Sequence, residues 1–159
     1  MDDKGKAGKL GIFGSRSLFD ENVRLAIYDY LSKNSHINTI VTCQEPRGVS
    51  EVAQRIARDT LYRLEVHFLN PHRGRGAFHE RALRIIESAD EFLVIHDGVS
   101  KGTANELELL KKSGKKHEYI VFDKSKVYDY STEFNITDTW DRKHNYNDVF
   151  EGDEFSIDI

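Results

Sequence analysis

The 159 residues are 38% hydrophobic and 31% charged, a balance that suits one folded domain with a single core and excludes a disordered chain. No apolar run approaches the roughly 18 residues of a membrane span, the start MDDKGKAGK has no apolar leader core, and the single cysteine, Cys43, excludes an intramolecular disulfide, so the expectation is a cytoplasmic protein with no membrane partner. The net charge of −4 is uneven: residues 125–159 hold nine acids against three basic residues, leaving 20 basic and 18 acidic residues in 1–124, which argues against the broad basic face of a general nucleic-acid binder.

Strand-length apolar runs alternate with helical patterns along the chain. KLGIF (9–13) precedes ENVRLAIYDYLSK, INTIVT (37–42) precedes VSEVAQRIARD, and YRLEVHF (62–68) precedes AFHERALRIIES; EFLVIH (91–96) precedes TANELELLKKS, and HEYIVF (117–122) closes the series. Such alternation predicts an α/β fold: a doubly wound, mainly parallel five-stranded Rossmann-like sheet with helices on both faces. Right-handed crossovers favour the strand order 3-2-1-4-5. The predicted nucleotide-binding domain is 1–124. Beyond it lies an acidic extension, 125–159, whose closing FSIDI places apolar residues at period two and is expected to add a strand or an oligomer contact.

Loops leaving the carboxyl ends of the predicted strands contain Gly14, Gly48, Gly74, Gly76, Gly98 and Gly102 and both prolines, Pro46 and Pro71, whereas the returning loops contain only Gly114. Ligands of open α/β sheets bind at the carboxyl edge, in the crevice where strand order reverses. That crevice lies between the first and fourth strands, so GSRS (14–17) and DGVSKGT (97–103) are expected to face one another.

Three constellations fall on that edge. Gly14, Ser15, Arg16 and Ser17 combine close backbone approach, two hydroxyls and a guanidinium at a helix entry, which suits a phosphate or a ribose; the alternative is an ordinary strand-to-helix turn with a serine cap. In NPHRGRGAFHERALR, His72, Arg73, Arg75, His79, Arg81 and Arg84 gather at a helix start, where backbone N–H groups and the dipole favour an anion; the alternative is a solvated basic face. Thr103 to Glu106 reads either as a capping box, T-x-x-E, or as a phosphate-binding turn followed by a catalytic carboxylate. His67 and His96 fall at strand ends as structural histidines, and with no carboxylate or thiol at ligand spacing neither a metal nor a cofactor is expected.

The block 78–110 resembles the Lonely Guy (LOG) phosphoribohydrolases. Their pattern is H-E-R-K, an Asp nine residues after that Arg, then P-G-G-x-G-T-x-x-E. Here stand His79-Glu80-Arg81, Asp90, and Gly102-Thr103 followed by Glu106. GSRS and RGVSEVA (47–53) are similar to the wider SLOG superfamily of Rossmann-like nucleotide-binding domains. The chain departs from the LOG pattern in three places: Ala82 replaces the Lys, HDGVSKGT is two residues longer than P-G-G-x-G-T, and TCQEPRGVSEVA stands where the family has a glycine-rich run.

The resemblance implies a small nucleotide or phosphoribosyl ligand and, as an activity, hydrolysis of the N-glycosidic bond of a nucleoside 5′-monophosphate. It implies Glu106 and Arg81 as the catalytic pair and Gly14, Ser15, Arg16, Arg47, Gly48, Gly98, Gly102 and Thr103 as ligand-binding residues. It also implies a homo-oligomer, most simply a dimer. Two other functions stay open: a non-catalytic sensor of a nucleotide or NAD-derived ligand, and a DprA-like binder of single-stranded DNA. The last needs aromatic stacking groups, and the basic segment offers only Phe78.

Overall fold

A computed structural model describes residues 8–122; the acidic extension and its expected strand lie outside the described residues. The elements are β1 (Gly8–Gly14), α1 (Glu21–Lys33), β2 (Ile37–Cys43), α2 (Val49–Asp59), β3 (Arg63–His67), a 3-10 segment (Pro71–Gly76), α3 (Ala77–Ser88), β4 (Glu91–His96), α4 (Lys101–Ser113) and β5 (Lys116–Val121). The strands form one parallel sheet in the order β3-β2-β1-β4-β5. This is the doubly wound Rossmann-like arrangement that the alternation predicts, and each strand end falls within one residue of its expected position.

Because successive strand residues point to opposite faces, the sheet carries two cores. Leu10, Ile12, Leu93 and Ile95 pack against Val23, Ile27 and Leu31 of α1 and Val52 and Ile56 of α2. On the other face Phe13, Val41, Phe92 and Val94 meet Ala82, Ile85 and Ile86 of α3 and Leu107 and Leu110 of α4. The Phe13 and Phe92 rings stack with centroids 6.0 Å apart and planes 7° from parallel. Gly11 makes room for this stack, since a Cβ there would stand 2.4 Å from the Phe92 ring.

The winding positions the site. From β1 the chain steps outward through α1 and α2 to β3, then α3 carries it back across the opposite face to β4, which pairs with β1. The loops after β1 and β4 therefore diverge from adjacent strand ends, as the sequence predicts for the crevice. No helix among the described residues is long and apolar enough to cross a membrane.

On the α3 side Glu65 ties β3 to its neighbours. Its carboxylate accepts from Lys9 Nζ at 3.0 Å, from His67 Nε2 at 2.7 Å and from the Ser88 hydroxyl. Burial pushes the Glu65 carboxyl up, but these donors outweigh it and hold the group down at about 2, against an ordinary 4.5. A depressed folded-state value stabilises the fold above the unfolded value, and the contribution is lost as pH falls from about 4.5 toward 2. Discounted for the partial exposure of Lys9 and Glu65, the contribution is about 1–2 kcal/mol. Glu65→Gln is expected to be less stable than wild type by that amount at pH 7, and the gap is expected to close as the pH of urea denaturation is lowered toward 2; a gap independent of pH would refute the assignment.

Candidate functional site

Ser15, fully buried at the end of β1, joins the two diverging loops. Its backbone N–H donates to Ile95 O at 3.1 Å, its hydroxyl accepts from the Asp97 N–H at 3.1 Å, and the same oxygen lies 3.2 Å from Thr103 Oγ1. Ser17 Oγ donates to Asp97 Oδ2 at 2.6 Å, while Asp97 Oδ1 accepts from the N–H groups of Val99 at 2.9 Å and Ser100 at 2.7 Å. Burial raises the Asp97 carboxyl; the Ser17 hydroxyl and the two N–H groups reverse this and hold it below the usual range. GSRS and DGVSKGT thus face each other as expected, but the junction between β1 and β4 is filled by the protein's own hydrogen bonds.

The start of α4 corrects one reading of the sequence. Ser100, in extended conformation, caps the helix with its hydroxyl accepting from Thr103 N at 3.3 Å. Asp97, by taking the Val99 and Ser100 N–H groups, fixes the turn that delivers this serine. The helix begins at Lys101, so Thr103 lies within its first turn and is not its cap. The T-x-x-E capping box is therefore not formed, and Glu106 sits a turn further on, in the wall of a cleft.

The cleft, of about 390 Å³, opens between α3 and α4 over the carboxyl ends of β1 and β2, within the range of roughly 300–1,000 Å³ typical of small-molecule sites. Gly14, Cys43, Arg81, Ala82 and Thr103 form its more enclosed part, and Arg75, His79, Glu108 and Lys112 its exposed margin. The first turns of both α3 and α4 contribute to the lining. Of the residues that the resemblance implies, Gly14, Arg16, Arg81, Gly102, Thr103 and Glu106 line this one space together with Arg75 and His79 of the basic segment, while Ser15, Arg47, Gly48 and Gly98 stand outside it.

Two of the glycines have packing roles. A Cβ on Gly14 would lie 2.3 Å from Val49 Cβ, so this glycine lets α2 approach β1. Gly48 has φ of 94° and its missing Cβ would meet Arg16 Cα at 2.3 Å, so both its conformation and its contact require glycine. Gly98, with φ of 90°, serves the turn after β4.

The sequence reading did not single out Glu45. At the end of β2, its Oε1 pairs with Arg16 Nε at 3.0 Å and its Oε2 with Arg81 Nη2 at 2.7 Å. Arg81 Nη1 donates to Gln44 O at 3.1 Å, and its guanidinium lies 5.4 Å from the centroid of the Phe78 ring. Glu45 is the only acid in the loop CQEPRG, which leaves the same sheet edge as the two arginines, and that was the available signal. Cys43 lies beneath this chain of charges. Burial pushes its thiol up to about 12, despite Arg81, with Glu106 and Glu45 adding to the rise; it stays protonated at neutral pH and is no nucleophile. Among the described residues no group of three or more His, Cys, Asp or Glu side chains is arranged as a metal site.

With only 5% of its side chain exposed, Arg81 holds Glu45 in a site poorly reached by water. Arg81→Ala is expected to destabilise the fold by about 2–3 kcal/mol, because the carboxylate loses one of its two arginine partners and keeps only Arg16. Adding Glu45→Ala is expected to recover part of that loss. Urea denaturation of the two single variants and the double variant checks this; strictly additive losses would refute the coupling.

Comparisons with protein-family models, curated proteins and solved structures find no match for the chain.

Proposed function

We propose that the protein binds a nucleoside 5′-phosphate in the cleft between α3 and α4, and that Glu106 is the group through which the site hydrolyses the N-glycosidic bond. The observation that carries this reading is the convergence on one cleft of two helix amino ends, the cations Arg75 and Lys112, and the Glu106 carboxylate. Helix amino ends present N–H groups and partial positive charge to an anion. The resemblance of 78–110 to the LOG pattern supports the same assignment, because Arg81, Gly102, Thr103 and Glu106 all belong to it.

In the proposed reaction water adds to C1′ of the ribose as the bond to the base breaks. The products are the free base, which takes a proton, and ribose 5-phosphate. Positive charge builds on the sugar as the bond lengthens, and a carboxylate against it stabilises that charge and orients the attacking water. Phosphate anchoring contributes orientation, which makes the unphosphorylated nucleoside a poor substrate.

A second reading, binding without turnover, is favoured by the state of Arg81: both of its terminal nitrogens already donate to Glu45 and Gln44. One experiment separates the two. Glu106→Gln is expected to keep nucleotide affinity within a few-fold in calorimetry, while base release, followed by chromatography, falls by a factor on the order of 10²–10⁴. Tight binding of one nucleotide by wild type with no base release from any member of a panel would establish a sensor, and no binding at all would end the nucleotide reading.

A dimer is proposed with it. Among the described residues β5 is the last strand of the sheet, and its side chains Tyr119 and Val121 are exposed, an apolar surface that a second chain can cover. Sedimentation is expected to report a dimer at high micromolar concentration; a monomer there would remove the claim.

A further inference from the structure

Glu45 occupies its two arginines as a phosphate would. Its two oxygens reach Arg16 Nε at 3.0 Å and Arg81 Nη2 at 2.7 Å. The arginines expected from the sequence to anchor an anion therefore already hold one, and the protein supplies it. The side chains of Arg81, Glu45 and Arg16 are only 5%, 12% and 16% exposed, so water does little to screen this chain of charges. A phosphate entering here has two routes. It can displace the carboxylate, leaving it poorly solvated and without its arginines, or it can settle beside the carboxylate as a like charge. Both are unfavourable. At the exposed margin Arg75 and Lys112 offer positive charge, and the one carboxylate there, Glu108, is open to water and 3.8 Å from Lys111 Nζ, so it repels a phosphate far less than the buried Glu45.

We infer that Glu45 sets which way round the ligand lies: its carboxylate is an internal anion that excludes phosphate from the Arg16–Arg81 pair and directs it to the margin, over Arg75 and Lys112. The enclosed end is left to groups that donate hydrogen bonds, such as ribose hydroxyls, for which a fixed carboxylate is a strong acceptor. The orientation rests on the nucleotide reading above. The exclusion of phosphate does not, because it follows from Glu45 and the two arginines alone.

The experiment has two arms. In the first, inorganic phosphate is titrated into wild type and Glu45→Gln, which keeps the side-chain shape and removes the charge. Glu45→Gln is expected to bind phosphate at least about tenfold more tightly, the scale of one charged hydrogen bond. If the variant is too unstable for calorimetry, its Tm in phosphate is compared with that in chloride at equal ionic strength. A rise much larger than wild type's supports the inference, and an equal response or equal affinity overturns it.

In the second arm, Arg75→Ala, at an exposed position outside the core, is titrated with a nucleoside 5′-monophosphate and with its nucleoside. The preference for the phosphorylated form is expected to fall about tenfold, and an unchanged preference overturns the orientation. A wild-type protein that binds no nucleotide ends the nucleotide reading and the orientation with it, while the phosphate arm still decides for or against Glu45.

Discussion

At the end of β1 the Ser15 hydroxyl takes the Asp97 N–H and touches Thr103 Oγ1, and on this small contact the arrangement of the carboxyl edge depends. The sheet reverses its winding between β1 and β4, so the loops after these strands turn to opposite faces and leave polar backbone groups between them. Buried groups of that kind are costly unless each finds a partner. The Ser15 and Asp97 side chains satisfy three, the N–H groups of Asp97, Val99 and Ser100, and Ile95 O takes the Ser15 N–H. The Ser100 turn fixed in this way sets the first residue of α4, and so the face that this helix turns toward the cleft.

A second constraint acts on the cleft itself. Placing Arg81 almost fully out of water is unfavourable unless its charge and donors are met. Glu45 meets the charge, Gln44 O meets the other terminal nitrogen, and Phe78 covers one face of the guanidinium. The result is an arginine with a fixed geometry. Whatever the cleft admits encounters a set of charges already arranged around one another, which favours ligands that complement the set over those that must break it.

Much of the fold was legible in the sequence for physical reasons. A fully buried parallel strand reads as an unbroken apolar run, as EFLVIH does, and the helix pattern of AFHERALRIIES places Ala82, Ile85 and Ile86 on the face that packs against the sheet. The site was legible in part. Glycine-bearing loops and a basic helix start mark an edge, and eight of the flagged residues do share one cleft. What periodicity cannot reveal is which partner each polar side chain takes. Ser15 looks like a ligand group, and its hydroxyl is engaged by the Asp97 N–H and Thr103 Oγ1. Thr103 fits a capping pattern, yet Ser100 wins the cap because Asp97 shapes the preceding turn. Glu45 is a lone acid in a loop with no pattern around it, and its meaning appears only when two arginines from other elements arrive beside it.

The central position of β1 has a consequence for how the chain comes into being. One side of this strand pairs early with β2, but the other waits for β4: Leu10 pairs with Glu91, and the Lys9 N–H reaches the Asp90 carboxylate across 81 residues. As the polypeptide leaves the ribosome, β1 to β3 can assemble while one long apolar border, Leu10 to Gly14, has no neighbour. Contacts this distant along the chain form slowly, and an open strand border during that delay is a template for wrong partners. The same connectivity that brings two helix amino ends to one cleft therefore makes the nascent chain most vulnerable to aggregation in the interval before β4 is synthesised.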